Sequence, residues 1–227
     1  MGKEMEGGKR NNVELFFLAT LIFWLTSVCF QIVLTNRTQL LYIIAGSFFY
    51  QTSNSLIRFF SSNDPLFVNT SVSLLHSIVT STSVVFILST QWLNNGLSAM
   101  FDHSQLVEGT WSWAFEALSF SCGYFAYDQW DMLHYRLYSG WIPSILVHHL
   151  VLLICFTLAL YRNVTINYLI LTLICELHSV FLHVRKVRVP HSHHGMNFLN
   201  IGLGIDLFKA FKRERKSQQA NRHQHRE

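Results

Sequence analysis

The chain has 227 residues, half of them hydrophobic and only 13% charged, whereas average soluble domains have about 25% charged residues. This composition excludes an ordinary soluble core and predicts an all-α, multi-pass membrane protein. The net charge is +4, and ten of the 17 Lys and Arg residues follow His183. That distribution indicates a basic tail near an anionic membrane face rather than a nucleic-acid-binding surface.

The first 65 residues predict one clear span and one ambiguous segment. Residues 1–12 are polar, and the apolar run Val13–Leu34 is long enough to cross a bilayer. A cleaved signal peptide would have an apolar region of only about 7–15 residues, so a retained helix is favoured. Within Thr35–Asp64, a polar interruption at Gln51–Ser55 leaves two alternatives open. The segment is either a short span that faces other helices or an interfacial helix.

Leu66–Gln91 is the next clear span, and it carries a stripe of polar residues. Ser73, His76, Thr80 and Ser83 recur at helical spacing, so they share one face that can hydrogen-bond to neighbouring helices. The following loop, Trp92–Thr110, contains acids but no Lys or Arg. We therefore expect this loop on the non-cytoplasmic side of the membrane.

Three further spans and a basic tail complete the chain. The spans are predicted at Trp111–Leu133, Pro143–Tyr161 and Val164–Val184, and Arg185, Lys186 and Arg188 end the last one. We expect residues 189–227 to form a cytoplasmic tail that includes an interfacial amphipathic helix. The predicted fold is a transmembrane helix bundle of five to six spans.

Two acids and two histidines in apolar surroundings make the best candidate site. Asp128 and Asp131 are three residues apart and share a helix face, with Tyr124 one turn before Asp128. His148 and His149 lie in the next span, and adjacent helical residues point about 100° apart, so one of them should face the interior and the other a neighbouring helix. A histidine base oriented by one of these acids would suit acyl transfer. Alternatively, the acids and histidines pair across helices and hold the bundle together.

Four stretches, in order, resemble a known family. They are Ser73–Thr80, Ser121–Phe125 with Asp128 and Asp131, Leu146–His149, and Leu171–Phe181. They are similar to the TLC-domain membrane proteins, which include the ceramide synthases, over roughly residues 66–188. The pairing of GYF-x-x-D-x-x-D with V-H-H resembles the calfacilitin-type branch. Family members usually continue through further spans, so the resemblance implies that the carboxy-terminal spans of the family are missing here.

The resemblance implies a regulator of membrane phospholipid composition and fluidity that limits incorporation of polyunsaturated acyl chains. It implies a plasma-membrane location, with the endoplasmic reticulum as the alternative, and contact with membrane lipids and fatty acyl chains. His76, Tyr124 and Glu176 would line the lipid cavity, and no cofactor, metal or nucleic acid is expected. Two alternatives stay open: a lipid acyltransferase of the ceramide-synthase kind, or an accessory partner of a membrane channel. The long ceramide-synthase motif is missing, since no acid follows His149 before Glu176.

Overall fold

Every element in the described part of the chain is helical, which confirms the predicted fold class. The computed structural model describes the backbone of residues 2–138 and 144–188, and the side chains from 12 to 187 except 99 and 139–143. The predicted tail, residues 189–227, lies outside the described residues. Helices α1 to α8 are Gly2–Leu34, Leu41–Phe60, Pro65–Met100, His103–Val107, Ala114–Tyr135, Ser144–Arg162, Ile166–Thr172 and Glu176–Arg188. The 3₁₀ turns Thr38–Leu40 and Leu173–Cys175 precede α2 and α8.

Four helical segments are long and apolar enough to cross a membrane. They are Asn12–Leu34, Pro65–Ser98, Ser144–Arg162 and Ile166–Val187. The predicted span Trp111–Leu133 corresponds to α5. This helix is not one of the four apolar segments, because it carries three acids and Gln129. α2 is a continuous helix, but its polar residues Gln51–Ser55 likewise make it too polar to be one of the four. These four segments correspond to four of the five clear predicted spans.

α5 lies at the centre of the described bundle, which explains its polar composition. It packs against α1, α2, α3, α6 and α7, and most of its side chains are buried. Polar side chains at membrane depth are costly when they face lipid, so they face the protein interior. Because its neighbours shield α5 from lipid, it can carry Asp128 and Asp131 in the middle of the bundle.

Two glycines let α2 and α5 approach closely. A Cβ added at Gly123 would lie 2.3 Å from the Ile43 carbonyl oxygen, and one added at Gly46 would lie 2.5 Å from that of Phe120. The Ser47 hydroxyl donates to the Gly123 carbonyl at 2.9 Å. Small residues at crossings of this kind are typical of helix pairs in membranes. The backbones of α2 and α5 are therefore in direct contact.

Three connecting segments meet at one end of the bundle. Arg37 donates to the carbonyls of Leu160 and Tyr161 at 3.0 and 2.7 Å and so caps the end of α6. The Thr165 amide donates to the Val107 carbonyl at 2.7 Å. We call this the loop end.

The Trp92–Thr110 loop carries negative charge at the loop end. A hydrogen bond from Ser104 lowers the pKa of the exposed Asp102 carboxyl, so this group is ionised at neutral pH.

A protease-protection experiment tests the orientation of the bundle. Since the Trp92–Thr110 loop has acids but no Lys or Arg and ten basic residues follow His183, the loop end should be outside and the tail cytoplasmic. On intact cells, external protease should cleave a tag inserted after Glu108 and spare a tag at Glu227. Cleavage of the Glu227 tag without permeabilisation would contradict this topology.

Candidate functional site

The two aspartates predicted from the sequence lie together in the interior, each 3% exposed. The Asn69 amide from α3 bridges them. Its Nδ2 donates to Asp128 Oδ1 at 2.7 Å and to Asp131 Oδ2 at 3.0 Å. A buried carboxylate is costly unless it is paired or hydrogen-bonded. This shared donor is therefore part of what makes two acids on one buried helix face tolerable.

α2 supplies the other partners of Asp131. Asn54 Nδ2 donates to Asp131 Oδ1 at 3.0 Å and to the Tyr127 hydroxyl at 2.6 Å. Arg58 donates from Nε to Asn54 Oδ1 at 2.7 Å, and its Nη2 lies 3.9 Å from Asp131 Oδ1. The guanidinium also lies 4.1 Å from the centre of the Tyr135 ring, a cation–π contact. A cation thus stands beside the aspartate pair.

His149, but not His148, reaches the aspartates. His149 Nδ1 lies 3.3 Å from Asp128 Oδ2, although the two groups are not aligned as a hydrogen bond. His149 is 7% exposed, whereas His148 is exposed on the outer surface of α6. Consecutive helical residues point about 100° apart, so only one of the pair can face α5. We call Asn54, Arg58, Asn69, Tyr127, Asp128, Asp131 and His149 the carboxylate cluster.

His76 belongs to a second polar group, nearer the loop end. Its ring stacks on the Tyr124 ring with centroids 3.7 Å apart. Its Nδ1 lies 3.3 Å from the Tyr50 hydroxyl and 3.3 Å from the Thr80 hydroxyl. Its Nε2 is buried and has no hydrogen-bond partner among the described residues. His76 is therefore a core histidine with only one ring nitrogen in contact with polar partners.

Tyr124 and Glu176 are held by serines of α3. The Tyr124 hydroxyl donates to Ser73 at 2.9 Å, and the Ser77 hydroxyl donates to Glu176 Oε2 at 2.7 Å. Glu176 opens α8 directly after the 3₁₀ turn and is half-buried. Tyr124 lies one helical turn before Asp128. The polar side chains of α3 and α5 therefore form a continuous strip from Asp131 to Thr80.

Two apolar grooves flank α5. The α1 groove, between α1, α2 and α5, has a volume of about 490 Å³ and includes Leu25, Ala126, Tyr127 and Trp130 in its walls. The α3 groove, between α2, α3 and α5, has a volume of about 470 Å³. Both volumes fall in the range of about 300–1,000 Å³ that is usual for small-molecule sites. Tyr127 is a member of both the carboxylate cluster and the α1 groove wall.

Comparison with known proteins identifies the family. The TLC domain matches residues 66–189, which is more than half of the chain. The chain belongs to the TLC-domain family. This result confirms the resemblance seen in the four sequence stretches.

TLC domain-containing protein 2 from three vertebrates is similar to the chain. The Danio rerio protein is 30% identical over 117 residues, 42% of this chain and 46% of the relative. The Homo sapiens protein is 32% identical over 120 residues, 52% of this chain and 42% of the relative. The Mus musculus protein is 36% identical over 76 residues, 33% of this chain and 24% of the relative. The matches thus span less than half the length of these relatives, and no solved structure matches significantly.

The TLC domain contains most of the carboxylate cluster but not all of it. Its boundary at residue 66 separates Asn69, Asp128, Asp131 and His149 from the two contributors on α2, Asn54 and Arg58.

Five of the residues predicted for the interior are buried in the bundle: His76, Tyr124, Asp128, Asp131 and His149. Glu176 is half-buried against α3, and His148 lies outside. A catalytic role for any of them remains a hypothesis.

Four members of the cluster are not among the site residues predicted from the sequence: Asn54, Arg58, Asn69 and Tyr127. Asn69 is four residues before Ser73 and therefore continues the polar stripe of α3. That spacing was the available signal. Asn54 lies in the polar interruption of α2 and is four residues before Arg58, so the two share a face of the helix. Tyr127 had no distinguishing signal, because its role depends on the approach of α2.

Proposed function

We propose that the protein regulates membrane phospholipid composition and fluidity, and limits incorporation of polyunsaturated acyl chains into plasma-membrane phospholipids. Membership of the TLC-domain family and similarity to TLC domain-containing protein 2 support a role connected with membrane lipids. The helices that are long and apolar enough to span a membrane support action within the bilayer. The finer assignment, to acyl-chain unsaturation and to the plasma membrane, is part of the proposal.

The position of Tyr127 is the main observation that supports the proposal. Tyr127 is a wall residue of the α1 groove, although it is only 4% exposed, and its hydroxyl accepts from Asn54, which also donates to Asp131. The groove is apolar and lies between helices at membrane depth, where lipid chains are the surrounding solvent. An acyl chain in this groove would touch a residue that is bonded to the carboxylate cluster.

That connection gives lipid contact a way to affect the interior. Asn54 is in turn held by Arg58 at 2.7 Å, so a displacement of Tyr127 changes the surroundings of Asp131. A ligand shifts a conformational equilibrium only by its difference in affinity between the two states. Chains of different unsaturation fit a fixed apolar wall differently, and this difference is the proposed input.

A second candidate function is acyl transfer, favoured by the 3.3 Å approach of His149 Nδ1 to Asp128 Oδ2. In this scheme His149 takes the proton of an acceptor hydroxyl or amine, and Asp128 orients the ring. Neither the α1 groove nor the α3 groove includes His149 in its walls. For this reason the regulatory role is the primary proposal.

Lipid profiling of cells that lack the protein, with and without re-expression, separates the candidate functions. Changed acyl-chain unsaturation in phospholipids, reversed by re-expression, supports the regulator. Changed ceramides alone support the acyltransferase. Unchanged lipids together with altered ion currents would overturn both and favour an accessory partner of a channel.

Filling the α1 groove should weaken the lipid phenotype. Leu25 is exposed and lies in the groove wall, so Leu25→Trp reduces the space for a chain without disturbing the core. We expect Leu25→Trp to restore the phospholipid profile less than half as well as wild type at equal abundance. Leu15→Trp is the matched control, because Leu15 is exposed on the same helix outside the groove. Full restoration by Leu25→Trp would contradict the role of the groove.

A further inference from the structure

The α3 groove differs from the α1 groove in carrying a charge at its rim. Glu116, Trp113 and Tyr42 all lie in its wall. Glu116 is half-buried, and none of the residues that the structure describes forms a salt bridge with it. A half-buried carboxylate without a salt-bridge partner can attract a positively charged ligand.

The rim of the groove is expected at the level of the lipid head groups. Trp113 directly precedes α5, Glu116 is its third residue, and Tyr42 is the second residue of α2. These helix ends belong to the loop end, where Trp and Tyr are typical of the membrane–water interface. Ser121 lies five residues further along α5 and hence about 7–8 Å deeper. The groove therefore runs from the head-group level into the acyl-chain region.

The deeper part of the groove offers few free polar groups. The Thr80 and Ser121 hydroxyls lie 3.2 Å apart and hydrogen-bond to each other. The Ser83 hydroxyl donates to the Val79 carbonyl at 2.9 Å. The remaining wall is apolar and includes Phe120 and Ile87. This part suits a hydrocarbon chain.

We propose that the α3 groove binds a choline phospholipid. The trimethylammonium group would lie at Glu116 with Trp113 and Tyr42 beside it, and one acyl chain would extend toward Thr80 and Ser121. Aromatic rings attract quaternary ammonium groups through cation–π interactions, and Trp is the strongest of them. The Glu116 carboxylate supplies the negative charge that attracts the trimethylammonium group.

The rim favours a quaternary over a primary ammonium. A primary ammonium carries three N–H donors that each need an acceptor, whereas the rim supplies mainly one carboxylate and two aromatic rings. A trimethylammonium has no N–H and needs only charge and contact surface. The indole N–H of Trp113 and the hydroxyl of Tyr42 are then available as donors to the phosphate.

Labelling of the purified full-length protein tests the assignment. The protein is placed in lipid nanodiscs that contain traces of photoactivatable phosphatidylcholine, phosphatidylethanolamine or phosphatidylglycerol, and the crosslinked peptides are mapped. We expect the choline probe to label the start of α5 most strongly. Glu116→Gln should reduce that labelling by roughly fivefold. The matched control is Glu108→Gln in the exposed loop, which should change nothing.

Two further measurements distinguish loss of choline binding from misfolding. Phosphatidylglycerol labelling should not fall in Glu116→Gln, which separates loss of a charge partner from misfolding. Ala117→Phe, which places a larger side chain in the groove wall, should also reduce choline labelling. Equal labelling by the choline and ethanolamine probes, or unchanged choline labelling in Glu116→Gln, would overturn the proposal. Because binding is measured on purified protein, this result is independent of whether the protein alters cellular phospholipids.

Discussion

Replacing Gly123 with valine should eliminate the folded bundle. Any Cβ at this position would lie 2.3 Å from the Ile43 carbonyl oxygen and 2.7 Å from the Ser47 nitrogen. Both atoms belong to the α2 backbone, so no side-chain rotation relieves the clash and the helices must separate. Overpacking in an ordinary core costs about 1–3 kcal/mol, and a clash with backbone should exceed that range. Gly46→Val should act in the same way, because its Cβ meets the Phe120 carbonyl.

Ala117→Val is the matched control for this experiment. Ala117 lies on the same helix, but its side chain borders the α3 groove, which has room for two methyl groups. Size-exclusion profiles and thermal unfolding in detergent should show a folded Ala117→Val protein and little or no folded Gly123→Val protein. A Gly123→Val protein with the wild-type profile would show that α2 does not pack against α5 as described.

The contact between α2 and α5 also determines the geometry of the carboxylate cluster. With α2 against α5, Asn54 reaches both Tyr127 and Asp131, and Arg58 follows one turn later. A separation of the two helices by the width of a side chain would break these bonds of about 3 Å. Variants at the glycines should therefore disturb the candidate site even where some protein folds.

The helical fold could be predicted because the signals that specify it are local. Apolar runs of about 20 residues identify spans, and four of the clear predicted spans coincide with segments that can cross a membrane. The sequence predicts α5 as a span that carries three acids, but its position at the centre depends on five neighbouring helices. No local pattern distinguishes a central helix with acids from an outer helix with acids.

The candidate site could be predicted only in part, for a related reason. The spacing of Asp128 and Asp131 predicts a shared face, and helical geometry predicts that only one of His148 and His149 points inward. Which one does so depends on the rotation of α6 against α5. Asn54 comes from a segment that sequence alone left ambiguous, so its bond to Asp131 required the packing of α2 to be known.

Variants of Asp128 and His149 distinguish a proton-transfer role of these residues from a packing role. Asp128→Asn and His149→Gln keep similar shape and some hydrogen bonding but lose the titrating group. We expect both proteins to accumulate near wild-type levels, since an interhelical hydrogen bond in a membrane contributes only about 0.6 kcal/mol on average. If the pair transfers a proton, both should fail to restore the lipid profile of cells that lack the protein.

Two comparisons determine how that result is interpreted. His148→Gln is the matched control, because it makes the same change at the adjacent, exposed position and should restore the profile fully. Asp128→Leu leaves the Asn69 amide with one of its two acceptors gone, and an unsatisfied buried donor costs about 1–3 kcal/mol, so abundance should fall. If Asp128→Asn and His149→Gln are abundant and restore the wild-type profile, the pair has no protonic role. The carboxylate cluster then acts through packing alone, because only the variant that removes hydrogen bonding would have an effect.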